Sequence, residues 1–242
     1  MRTVHAPALP VFRIATIRGG GADEVYDPPP LSTSFRGRFD DQRINDPNRT
    51  FPKKHCYRVL YFATERAGAF GEILQRHIPN PQALQDIFRN RPPSDPLLLG
   101  GQVKQAELTR RQIGATRLDP TLRFADVIAP ESRMELYYTP SITPLVEQLD
   151  LNFLDVSAIT GDTKEHRQLT QAIALHIYNL TDDQSQPLFD GIRYLSHVNM
   201  DWECWAVFHD RFRHTPVSTE PVDLGDPELH RALSAINVKV MP

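Results

Sequence analysis

Four short blocks bring together side chains that could do chemistry: Gly37-Arg38-Phe39, Leu60-Tyr61-Phe62-Ala63, Ala69-Phe70-Gly71-Glu72 and Gly191-Ile192-Arg193-Tyr194-Leu195-Ser196. Arg38, with Arg36 and Arg43 close by, could meet an anionic group with a planar fork of donors, or could belong to an ordinary solvated loop. Tyr61 lies in an apolar stretch, where a tyrosine is usually core with its hydroxyl bonded. Glu72 follows small apolar residues, so it is either a solvated helix-face carboxylate or an acid facing a tight cleft. Such an acid would stabilise positive charge developing on a substrate. Ser196 ends a strand-like run and can donate to a phosphate or ribose oxygen, or cap the turn. The neighbouring His197 and Asp201 invite a Ser-His-Asp reading, but adjacent strand residues point to opposite faces, which counts against a nucleophilic serine.

Those side chains need elements to hold them. Pro10 to Thr16 alternates like a short strand, ended by Gly19-Gly20-Gly21. Asp27 to Lys54 is rich in proline and charge and reads as a surface loop, which would leave Arg38 at a rim. Tyr57 to Ala63 reads as a buried strand, with Thr64 as cap of a helix from Glu65 to about His77. A short helix is expected over Pro81 to Phe88, capped by Asn80. Strand-like runs follow at Ala106 to Leu118, interrupted by Gly114, and at Arg123 to Ile128, before a mixed segment through Leu151. Asp162 or Thr163 would cap a helix to about Asn179, whose Leu169, Ile173 and Ile177 make a core-facing stripe. Phe189 to Leu195 and Glu203 to Phe208 read as strands.

Strands and helices intermix without strict alternation, which favours α+β over a doubly wound parallel sheet. The 242 residues suit one domain, 1–242, with a polar, proline-rich tail over 214–242 that holds a short helix at about Glu228 to Ile236.

The bulk properties exclude several classes. A net charge of −3 gives no basic field for nucleic acid or an anionic membrane, so no direct nucleic-acid binding and no membrane association are expected. No apolar run reaches the roughly 18 residues of a spanning helix, and Met1 to His5 lacks the apolar stretch of a secretion signal, so the chain reads as soluble and cytoplasmic. Cys56 and Cys204 form no CxxC pattern and are expected to stay reduced. Walker A, GxGxxG, HExxH, GxSxG and EF-hand signatures are all missing from the sequence. The nine histidines are scattered, and no metal site is expected.

Taken together, the four blocks resemble the RES domain, a family named for its arginine, glutamate and serine. Its pattern is similar to Gly-Arg-Trp, a strand ending Leu-Tyr-x-Ala, an alanine-rich helix start ending in glutamate, and Gly-Ile-Arg-Tyr-Pro-Ser. Tyr61 and Glu72 stand eleven residues apart, as in the family, and Phe12-Arg13-Ile14 resembles its opening strand. The resemblance spans about 11–211. Phe39 replaces the family's tryptophan, Leu195 its proline, and Asp40 to Tyr57 holds an insertion.

The resemblance implies an ADP-ribosyltransferase-like (diphtheria-toxin-like) fold, a split mixed β-sheet with flanking helices and NAD in the cleft. It implies an NAD-consuming enzyme that cleaves the nicotinamide–ribose bond as glycohydrolase or phosphorylase, or else a protein ADP-ribosyltransferase; a noncatalytic nucleotide-binding or interaction module of the same fold is the alternative. NAD would be the substrate and no metal is expected. Glu72 would stabilise the ribosyl cation, Arg38 clamp the pyrophosphate, Tyr61 stack on nicotinamide, Ser196 bind a phosphate or ribose hydroxyl, and Arg13 add a second cationic contact. Many such proteins are toxins paired with a helix-turn-helix antitoxin, so that partner is implied, and a homo-oligomer is compatible with the sequence.

Overall fold

The computed structural model describes residues 1–16, 22–28, 37–45, 52–79, 101–161 and 163–242. The triple glycine, Arg36, Asp162 and the expected Pro81 to Phe88 helix lie outside them. The strands are β1 (Thr3–His5), β2 (Val11–Thr16), β3 (Val59–Ala63), β4 (Gln102–Lys104), β5 (Arg111–Leu118), β6 (Arg123–Asp126), β7 (Gly191–Leu195), β8 (Glu203–Phe208), β9 (His214–Pro221) and β10 (Lys239–Met241). The helices are α1 (Arg66–Leu74), α2 (Gln105–Leu108), α3 (Pro130–Tyr137), α4 (Thr143–Gln148), α5 (Val156–Thr160), α6 (Lys164–Asn179) and α7 (Pro227–Ala235).

This is an α+β architecture on a mixed sheet with flanking helices. Eight strands run in the order β1-β6-β7-β8-β3-β2-β5-β9, and β10 pairs with β4 in a separate two-stranded ribbon. Within the large sheet β6 and β7 are parallel and the other pairs antiparallel. The centre of the sheet is where its continuity is weakest. β2 meets β5 over six registered pairs and β3 meets β8 over five, but β2 and β3 share only Phe12↔Ala63. A pocket opens beside that junction.

Strand alternation sorts side chains between two cores. Val59 and Ala63 join the larger cluster with α1 and α6, whereas Leu60 and Phe62 join Val11, Val25 and Trp205 on the other face. Tyr61, at the intervening odd position, faces the α1 and α6 side. On α6 the expected stripe is in place, with Leu169, Ile173 and Ile177 fully buried. Thr163 is the cap, its hydroxyl accepting from the His166 N–H.

Several local expectations are corrected. Thr64 does not cap α1. Its hydroxyl donates to Glu203 Oε2 at 3.0 Å, and Glu65 takes the cap position without a side-chain bond. Residues 106–118 are not one interrupted strand, because α2 covers 105–108 and β5 then runs unbroken through Gly114. The segment before Leu151 holds α3 and α4. Within residues 214–242 the expected short helix is α7, but β9 and β10 flank it where the sequence predicts a polar tail, and Arg66 at the start of α1 bonds both Glu220 and the α7 cap Asp226. Within the expected surface loop, Phe39 and Asp41 are fully buried, because this stretch fills the space beside β3.

Candidate active site

Glu72 is placed by the small residues before it. A Cβ on Gly71 would lie 2.1 Å from Cζ3 of Trp202, so only glycine lets α1 seat on that ring. Trp202 is 1% exposed, and its carbonyl accepts the Ser196 N–H at 2.9 Å. Trp202 therefore seats the helix carrying Glu72 with its indole and ties down the turn carrying Ser196 with its carbonyl. Ser196 donates its hydroxyl to Glu72 Oε1 at 2.6 Å, and Tyr194 donates to Oε2 at 3.0 Å.

Tyr194 and Ser196 sit two apart and share one face of β7 and its extension. Arg193, between them, turns the other way to Asp126 and Glu203. Both oxygens of the Glu72 carboxylate thus carry a hydroxyl donor, which holds its plane. Burial, then the neighbouring Glu72, raises the Tyr194 pKa well above the ordinary phenol value, so Tyr194 remains a donor.

The Gly37-Arg38-Phe39 turn is held from three sides. Asp40 accepts the Gly37 N–H through Oδ2 at 2.6 Å and the Tyr61 hydroxyl through Oδ1 at 2.8 Å. Phe39 N–H donates back to the Tyr61 oxygen at 3.0 Å, and Gln171 of α6 donates to the Gly37 carbonyl at 3.0 Å. A Cβ on Gly37 would come within 2.4 Å of the Tyr61 hydroxyl and 2.6 Å of Asp40 Oδ2. No larger residue fits there. Arg38 directs Nη1 to the carbonyls of Ile159 and Gly161, at 3.0 and 2.8 Å, where α5 ends.

Arg13 lies beneath this turn, 8% exposed, donating Nε to the Val25 carbonyl and Nη1 to that of Tyr61. Burial lowers its pKa to about 10, against the pull of Tyr61 and Asp40, so it stays cationic at neutral pH. Asp40 is pushed the other way. Burial raises its pKa, while the bonds from Tyr61 and Gly37 and the charges of Arg13 and Arg167 oppose that rise.

These elements surround a pocket of about 520 Å³, within the usual range for small-molecule sites. β2 and β3 supply Arg13, Ile14 and Tyr61, α1 supplies Ala69, Glu72 and Ile73, and Arg76 stands just beyond it. Gly37, Arg38, Gly161, Arg167 and Arg111 complete much of the wall. Five arginines therefore face one lining carboxylate. A pocket so charged suits a ligand with several negative groups.

Arg13, Arg38, Tyr61 and Glu72 are brought to one cavity, while Ser196 stands behind Glu72, fully buried. Its hydroxyl goes to Glu72 and also accepts the Val198 N–H at 3.4 Å, so it caps its turn and positions the acid. Arg43 is not in the pocket lining. It forms a two-pronged pair with Asp41, at 2.9 and 2.7 Å, and Asp41 raises its pKa. Sequence reasoning missed Asp40, Arg76, Arg111, Arg167 and Tyr194. Tyr194 was within reach through its period-2 relation to Ser196, and Arg76 through its four-residue spacing from Glu72. Among the described residues no group of three or more His, Cys, Asp or Glu could hold a metal, and no helix is long and apolar enough to cross a membrane.

The fold and site define an α+β protein with an arginine-lined pocket around a doubly bonded glutamate. The chain belongs to the RES-domain family, whose model matches residues 10–226. Among solved structures, the chain is similar to the crystal structure of the M. tuberculosis MbcT-MbcA toxin-antitoxin complex, at 12% identity and TM-score 0.46, over 96% of this chain and 92% of that one. No curated protein matches it.

Proposed function

We propose that this chain is an NAD-consuming enzyme that cleaves the bond between nicotinamide and ribose, in an ADP-ribosyltransferase-like fold, and that it is the toxin of a toxin–antitoxin pair. The observation that carries this reading is Glu72, held by two hydroxyls in the wall of a pocket lined by five arginines. As the bond breaks, nicotinamide leaves neutral with the bonding electron pair and positive charge gathers on the ribose anomeric carbon. A carboxylate held close to that carbon needs no reorganisation to stabilise the charge. Arg38 and Arg13 grip the pyrophosphate, and Tyr61, its hydroxyl held by Asp40, presents its ring to nicotinamide. The acceptor is water, inorganic phosphate or a protein side chain.

Incubating the purified chain with NAD, without added metal, and following free nicotinamide tests the reading. Release by the wild type, with a loss on the order of a hundredfold in a folded Glu72→Gln variant, is the expected result. Wild-type protein that releases none would leave a noncatalytic module of the same fold. Free ADP-ribose, ADP-ribose phosphate or labelled protein as the product distinguishes the acceptors.

An enzyme that degrades NAD endangers the cytoplasm that holds it. The family therefore favours a separate inhibitor chain with a helix-turn-helix domain. Uncontrolled expression is expected to lower cellular NAD and arrest growth, with Glu72→Gln harmless. Normal growth and normal NAD during confirmed expression of the wild type would defeat the toxin reading.

A further inference from the structure

The pocket holds more positive charge than a pyrophosphate needs, and the surplus is gathered in one place. Arg76 follows Glu72 by four residues, in the 3-10 turn Gln75–His77 that continues α1, and Arg111 begins β5 opposite Thr16 of β2. Both line the pocket. Both reach the same oxygen, Oε1 of Glu107: Arg76 through Nη2, and Arg111 through Nη2 at 3.4 Å. His77 also meets that oxygen, at 3.0 Å. One carboxylate thus serves two guanidinium groups, which leaves a net positive charge.

The arrangement is incompletely bonded as well as incompletely neutralised. Arg111 is largely buried, its side chain 11% exposed, and its Nε is buried with no hydrogen-bond partner among the described residues. A buried donor of this kind costs stability unless something accepts from it. Two guanidinium forks side by side match the oxygens of a phosphomonoester, which carries about −1.5 to −2 charge at neutral pH.

We propose that Arg76 and Arg111 form a second phosphate subsite, in the same pocket as Glu72, that takes a phosphomonoester on the adenosine ribose, so that the chain accepts NADP as well as NAD. The inference rests on the NAD-cleaving reading. Glu107 tunes the subsite by holding both arginines in place and competing for them.

Calorimetric titration with adenosine 2′,5′-bisphosphate and with adenosine 5′-monophosphate measures what the extra phosphate adds, independently of turnover. In the wild type the bisphosphate is expected to bind about tenfold tighter, a ratio that Arg76→Gln and Arg111→Gln each reduce several-fold and Glu107→Gln enlarges. Arg76 is more than half exposed, so its variant keeps the test open if Arg111→Gln fails to fold. Equal binding of the two nucleotides by the wild type, or a ratio that ignores Arg76→Gln, overturns the subsite. Inorganic phosphate, titrated alone, separates the two sources of this anion. Phosphate binding that depends on Arg76, with no advantage for the bisphosphate, would assign the arginines to free phosphate and overturn the dinucleotide assignment. Nicotinamide release from NAD is scored separately, so loss of the enzymatic reading and loss of the subsite give different results.

Discussion

Ser196 and Glu72, 124 residues apart in sequence, share a 2.6 Å hydrogen bond in which the serine hydroxyl donates to the carboxylate. Ser196 is fully buried, so it acts through Glu72. Ser196→Ala leaves one carboxylate oxygen without its donor and frees the side chain to rotate. Nicotinamide release is expected to fall about tenfold, with KM for NAD close to the wild-type value, since the lost interaction serves the charged transition state. Steady-state kinetics beside a thermal melt checks this, and unchanged kcat in a folded variant would reduce Ser196 to a turn cap.

How far the sequence leads depends on whether a residue's neighbours are local. Ser196, Glu72, Arg38 and Tyr61 stand in short blocks with recognisable spacing, and Leu169, Ile173 and Ile177 announce their helix by period. Asp40 gave no such signal. Its surroundings are prolines and charges, and only the approach of β3 and α6 turns the stretch at 37–41 inward. β9 was missed for the opposite reason. As an edge strand it buries little on either face, so it lacks the apolar alternation that marks a strand.

Asp40 uses both carboxylate oxygens as acceptors, one for the Gly37 N–H and one for the Tyr61 hydroxyl. Asparagine would present an amide N–H₂ to one of those donors. Asp40→Asn is therefore expected to cost about 1–3 kcal/mol in urea unfolding, and to raise KM for NAD by loosening Tyr61 and the Arg38 turn. A variant of wild-type stability and KM would show that the turn holds without this pair.

Gly71→Ala separates helix propensity from packing. In an exposed helix the change would stabilise by about 1 kcal/mol. Here the added methyl meets the Trp202 ring at 2.1 Å, and the overpacking is expected to destabilise by about 1–3 kcal/mol. Since Trp202 also carries the Ser196 turn, turnover should fall further than stability. Denaturant unfolding and nicotinamide release on the same preparation test both parts, and a gain in stability would contradict the close seating of α1.

Glu107 predicts an acid-dependent loss of stability. Burial pushes its pKa up, but the bonds and charges of Arg76 and His77 outweigh this and hold it at about 2. A folded-state pKa below the unfolded value means that the stabilisation is present above the ordinary glutamate pKa, about 4.3, and is lost as pH falls toward about 2. The carboxylate side chain is 31% exposed, so solvent screening keeps the effect on the order of 1 kcal/mol. The stability difference between wild type and Glu107→Gln should therefore be constant from neutral pH to about pH 5 and shrink below about pH 4. A difference that widens in acid would remove the carboxylate from this role.

The arginine and the glutamate should separate in kinetics. Arg38 bonds two backbone carbonyls through Nη1, so its fork is oriented before any ligand arrives and would grip a pyrophosphate alike in ground and transition states. Arg38→Ala is expected to weaken NAD binding about tenfold or more while kcat changes less, whereas Glu72→Gln lowers kcat and leaves affinity nearly unchanged. Arg38→Lys should not rescue binding, because an ammonium cannot bridge both carbonyls at the end of α5 and still offer a planar pair of donors. Titration calorimetry of the three variants with NAD, set beside single-turnover rates, decides the matter. Wild-type affinity in Arg38→Ala would take the clamp away from Arg38 and leave it to the other arginines of the pocket, Arg13 and Arg167 among them.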